Sequence, residues 1–143
     1  MRPAQFALNQ YRQTNVQASL EYADPHTLIG MLFNGLNEKI AVAKGAMQRG
    51  AIAEKGQAIG QAIDIVGYLQ ACLDLGNGGE IAANLDRLYT YIAERLFQAN
   101  AENDRSVLDE VNHLVNNIKS AWDAIRNEVS VQSAEDRFAS LGR

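Results

Sequence analysis

Few residues in this chain have the type and spacing to do chemistry. Glu110-Val111-Asn112-His113 sets a carboxylate and an imidazole three positions apart. On a helix that spacing puts both on one face, as in one half of a carboxylate-bridged di-iron bundle site. Such a site takes a second Glu-x-x-His and two more inward glutamates. The other histidine, His26, has Ala23 three residues before it. Glu110 and His113 also flank an apolar stripe, so a solvated helix face accounts for them. A phosphoryl-accepting role for His113 calls for lysine and glycine just after it, where Leu114-Val115-Asn116 stands.

Cys72 is the single cysteine, so no intramolecular disulfide forms, and a reducing, cytoplasmic setting is expected. No histidine is close to it in sequence, and it lies on the apolar side of its segment. That favours a buried structural thiol over a nucleophile. Gly76-Asn77-Gly78-Gly79 looks like a phosphate-binding loop, but no strand pattern precedes it and no Lys-Ser/Thr pair follows, so it reads as a turn. No Ser/His/acid constellation stands out. The expectation is a protein that is not an enzyme and uses no metal or other cofactor.

Composition narrows the partners. The chain has 143 residues, 47% hydrophobic, with a formal net charge of -4. That length fits one domain with a real core. No Lys/Arg-rich run offers the basic face that displaces counterions from phosphates, so no nucleic-acid partner is expected. No run of about 18 apolar residues exists to insert directly into a membrane, and Met1–Phe6 lacks the apolar run of a secretory signal.

The elements that must position these residues read as helices. Pro3 and Pro25 are the only prolines. Asp24-Pro25 reads as N-cap and first helical residue. Ile29, Leu32, Leu36, Ile40, Ala43 and Met47 follow at helical spacing, and Gly50 suits a left-handed C-terminal cap. A second helix is expected over Ala53–Leu75, with Ile59, Ile63, Val66 and Leu73 along one side. Its Gly56, Gly60 and Gly67 each weaken it by up to ~1 kcal/mol relative to alanine. Either they permit close approach of another helix or ligand, or they are merely tolerated. The third helix starts near Glu80 and carries Ile81, Leu85, Leu88, Ile92, Leu96 and Ala99. The fourth carries Val111, Leu114, Ile118, Ala121, Ile125 and Val129, with Ser106 and Asp109 as candidate capping residues. Four similar helices with short connections predict an all-α, antiparallel up-down-up-down four-helix bundle over 24–129. Residues 1–23 would form an extended or short helical cover segment, and 130–143 a mobile or short helical tail.

Two helices carry more apolar surface than one stripe requires. Ala82, Tyr89, Ala93 and Phe97 form a second row on the third helix, and Ile65, Leu69 and Cys72 one on the second. A wide stripe belongs either to a broad internal core or to a groove for an amphipathic partner helix. On the groove reading, Ile65, Cys72, Tyr89 and Phe97 contact the partner.

The order of several local sequences is more specific. Tyr11-Arg12-Gln13-Thr14-Asn15-Val16 precedes Ala23-Asp24-Pro25-His26-Thr27-Leu28-Ile29-Gly30-Met31-Leu32-Phe33-Asn34-Gly35. Gly78-Gly79-Glu80-Ile81 then leads to Leu88-Tyr89, Ala99-Asn100 and Ala121-Trp122. Together these resemble the FliS family of flagellin export chaperones over about residues 6–129. Phe33 and Asn34 replace a tyrosine and an aspartate often found there, with shape nearly kept. The resemblance implies binding to the C-terminal segment of unassembled flagellin in the cytoplasm. It also implies delivery to the cytoplasmic domain of the flagellar type III export gate, without ATP. It favours an N-terminal segment with Phe6, Tyr11 and Tyr22 as a displaceable groove cover or gate contact, against permanent packing on the bundle. The rival functions are a bundle adaptor or secretion chaperone for a non-flagellin client, and a degenerate metal bundle.

Overall fold

The computed structural model describes the backbone of residues 24–141 and the side chains of 24–124. Four helices follow one another: α1 (Pro25–Arg49), α2 (Ile52–Ala71), α3 (Gly79–Glu102) and α4 (Arg105–Leu141). In the main packings α1 and α3 each lie against both α2 and α4. Such packing, with connections this short, is the cyclic order of an up-down-up-down bundle.

Local chemistry sets the ends of the helices. Asp24 accepts the Thr27 amide at 2.7 Å, with Pro25 at the first helical position. At the other end of α1, Gly50 takes φ 68°, and Ala51 and Gly50 donate their amides to Ala46 and Met47. This paired closure needs a left-handed residue, which glycine adopts without a Cβ penalty. Asn103 plays that part for α3 at φ 54°, and Asp104 donates its amide to Ala99. The cap of α4 differs from expectation. Asp104 fills it, accepting both the amide and the hydroxyl of Ser106, whereas Asp109 pairs with Lys44 of α1 at 2.7 Å.

The core is one cluster drawn from all four helices, with Phe33, Leu36, Ile40, Ile59, Val66, Ile92, Leu96, Leu108 and Val111 at most 1% exposed. A buried lysine joins it. Lys55 of α2 is 6% exposed and donates to the Asn100 carbonyl and the Asn103 side chain at the end of α3. A cation placed there meets the unpaired carbonyls and negative dipole of a helix C-terminus.

A Cβ built on Gly56, Gly60 or Gly67 meets nothing within 4 Å, so of the two readings of these glycines the structure favours simple tolerance. The backbone of α4 is helical to Leu141.

Candidate functional site

The stripes of three helices run past the filled core at one end of the bundle. Ile29 of α1, Leu85 of α3 and Ile118 of α4 lie on the apolar side but stay only partly buried. Between them opens an apolar cavity of about 510 Å³ with walls from every helix: Ile29 and Phe33 of α1, Leu69 of α2 with Cys72 just after it, Ile81, Leu85 and Tyr89 of α3, and Ile118, Ala121 and Trp122 of α4. Asp74 and Asn117 are its polar lining residues. Ile81, expected in the core stripe of α3, is 74% exposed at this opening, while Ala82 of the second row is buried. The expected stripe is displaced only at the start of α3; farther along it Ile92, Leu96 and Ala99 are fully buried.

The 72–78 connection shapes the rim. Asp74 accepts from the backbone amide and side chain of Asn77, and the Gly78 amide donates to the Asp74 carbonyl at 2.7 Å. A Cβ on Gly78 would lie 2.5 Å from the Ala82 Cβ and 2.6 Å from the Asp74 carbonyl oxygen. Gly79 takes φ 58°. One glycine is thus required by space and the next by backbone conformation, and their task is to turn α2 into α3 beside the cavity.

At the mouth, Trp122 stacks on His26, with ring centroids 4.2 Å apart and an interplanar angle of 7°. Its indole N–H donates to the His26 carbonyl at 3.1 Å. The contact ties the start of α1 to α4. Nε2 of His26 is buried without a hydrogen-bond partner among the described residues. Nothing in the helical periodicity pairs positions 26 and 122, and sequence analysis did not link them.

The structure brings Cys72 and Tyr89 together on the cavity wall. It separates the other two groove candidates from them. Ile65 is 6% exposed within the core cluster, and Phe97 is 71% exposed and does not line the cavity. Eight residues turn a helix about 80° beyond whole turns, enough to carry Phe97 off the buried side that holds Tyr89. Phe6, Tyr11 and Tyr22 lie outside the described residues.

The ionisable groups have structural causes for their shifts. Burial pushes the Cys72 thiol up to about 11. Burial also raises the Tyr89 hydroxyl, helped by the nearby Cys72. Glu110 accepts from Tyr91 at 2.8 Å and from Nε and Nη2 of Arg95, which hold its carboxyl below the usual range. Its carboxylate is therefore committed to an α3–α4 clasp. Among the described residues no group of three or more His, Cys, Asp or Glu side chains is placed to hold a metal ion, and no helix is long and apolar enough to cross a membrane.

Comparison with known proteins agrees with the local motifs. The family model Flagellar protein FliS matches residues 7–129. The chain is 50% identical over 119 residues to the flagellar secretion chaperone FliSB of Pseudomonas aeruginosa, covering 83% of this chain and 94% of that one. It is 42% identical to the flagellar secretion chaperone FliS of Vibrio cholerae (85% and 90% covered) and 42% identical to that of Salmonella typhimurium (87% and 93%).

Proposed function

The chain belongs to the FliS family, a family of flagellar secretion chaperones rather than enzymes, and from that premise we propose that its client is the C-terminal segment of unassembled flagellin. The observation that supports this reading is the apolar cavity of about 510 Å³ at the end of a bundle with a buried core drawn from all four helices. Phe33, Leu69 and Tyr89 form its floor, and Ile81 and Trp122 stand at its opening. An amphipathic client helix laid there covers an apolar stripe that would otherwise drive premature self-association. A client disordered before binding pays an ordering cost, which keeps the complex reversible. The chaperone then passes its client in the cytoplasm to the cytoplasmic domain of the flagellar export gate.

Residues 1–23 precede α1, whose first turn carries the His26–Trp122 contact. We read them as a displaceable cover, with Phe6, Tyr11 and Tyr22 supplying apolar area and, in the tyrosines, polar handles. Phe97, exposed on α3, serves as a second contact as the client runs along the bundle.

Titration calorimetry with purified flagellin, without nucleotide, tests the reading. Binding should approach one to one and vanish when the C-terminal segment of flagellin is deleted. Unchanged binding after the deletion would point to a different client site. In the same assay Tyr11→Ala should alter client or gate binding while leaving thermal unfolding nearly unchanged.

A further inference from the structure

The two polar residues in the cavity wall differ in what they already hold. Asp74 accepts from the amide and the side chain of Asn77, and so belongs to the turn between α2 and α3. Asn117 of α4 also lines the cavity, but its side chain makes no hydrogen bond among the described residues. Its neighbour is committed: Asn116 accepts from Asn37 of α1 at 2.9 Å and helps close the α1–α4 seam. Asn117 sits three residues after Leu114 and four before Ala121, so the three share one face of α4. It is exposed while the cavity is empty, and its amide is open to solvent. An occupant that covers the apolar wall displaces that solvent. The amide then needs a partner from the occupant, because a covered donor or acceptor left unpaired costs more than an ordinary hydrogen bond returns.

We propose that Asn117 sets the register of the bound client, by pairing with one polar side chain placed within the apolar stripe of the client helix. The inference rests on the client-groove reading above and names a specificity-determining residue within it. An apolar wall holds a stripe with little preference between one turn and the next, since burial is non-directional. A single amide pair breaks that degeneracy, as a lone buried asparagine does in a coiled-coil seam. A client whose polar residue falls one turn away has two options. It leaves Asn117 unpaired, or it slides by about 5.4 Å and loses apolar contacts at one end. Either loss amounts to about a tenfold drop in affinity.

Trp122 is the chain's single tryptophan and lines the same cavity, so its emission reports occupancy. The full chain is titrated with synthetic helical peptides of identical composition. Each carries a leucine stripe with one asparagine, placed at the start, the middle or the end of the stripe. The parent chain should bind one of these peptides about tenfold more tightly than the others. Asn117→Leu and Asn117→Ala should each make the affinities nearly equal, because neither side chain offers a partner at any position. Thermal unfolding of both variants should match the parent, since the residue is exposed in the empty chain. Equal binding of all the peptides by the parent chain overturns the register anchor and leaves the groove reading standing. A preference that persists in both variants also overturns it, because another group then sets the register. A large loss of stability in both variants makes Asn117 a structural residue and overturns it as well. No Trp122 response to any peptide overturns the groove reading and this inference with it.

Discussion

Trp122 and His26 are 96 positions apart in sequence, yet the indole lies flat on the imidazole and donates to the His26 backbone carbonyl. This one contact fastens the start of α1 to α4 where the cavity opens. Trp122→Phe keeps an aromatic face and loses the N–H donor; Trp122→Ala loses both. Thermal or urea unfolding should show a loss of about 1 kcal/mol for the first and about 2–3 kcal/mol for the second. Equal and negligible losses would mean that the stack does not hold α1.

The rim glycine and the exposed glycines of α2 should respond in opposite directions. Gly78→Ala drives a methyl into Ala82 and the Asp74 carbonyl, and should cost about 1–3 kcal/mol in denaturant unfolding. Gly60→Ala meets open space on a solvent-exposed helix face, and should stabilise by about 0.5–1 kcal/mol.

Leu96 and Ile81 separate folding from binding on a single helix. Leu96 is fully buried, so Leu96→Ala should cost about 2–5 kcal/mol of stability. Ile81 is 74% exposed at the cavity, so Ile81→Ala should change stability by less than about 0.5 kcal/mol while weakening client binding measured by calorimetry. Phe97→Ala should resemble Ile81→Ala in stability. A large destabilisation would place Phe97 in the core.

Cys72 gives a chemical readout of the cavity. With its thiol raised to about 11, little thiolate exists at pH 8. Alkylation of the folded chain by iodoacetamide should be slower than that of the unfolded chain by about a hundredfold, and slower still with a client peptide bound. The linkage has a defined sign. A folded value raised above the unfolded one contributes stability that is complete below about 9 and is lost as pH rises through about 11. Tyr89 is shifted in the same direction. Alkaline unfolding scans should show the parent chain losing stability in that window and Cys72→Ala losing less.

Lys55 tests a buried polar contact. Lys55→Met keeps the apolar stem but leaves the Asn100 carbonyl and the Asn103 side chain without this donor. The cost should be about 1–3 kcal/mol in thermal unfolding, with native-state hydrogen exchange fastest at the C-terminal turn of α3.

The number of helices, the caps at Asp24 and Gly50, and the apolar side of each helix were legible in the sequence, because capping and 3.6-residue periodicity act over a few neighbouring positions. The ordered motifs gave the family as well. The tertiary structure decided which apolar residues close the core and which stay open, since that depends on where four stripes meet. It set Ile65 in the core and Phe97 on the surface, and turned Ile81 to the cavity in place of Ala82. It placed Lys55 against the end of α3, and it committed Glu110, which the sequence put on a solvated helix face, to Arg95 and Tyr91 across the α3–α4 seam. Periodicity fixes the direction of a side chain around its own axis. Only packing determines what it meets there, because the partners come from distant parts of the chain.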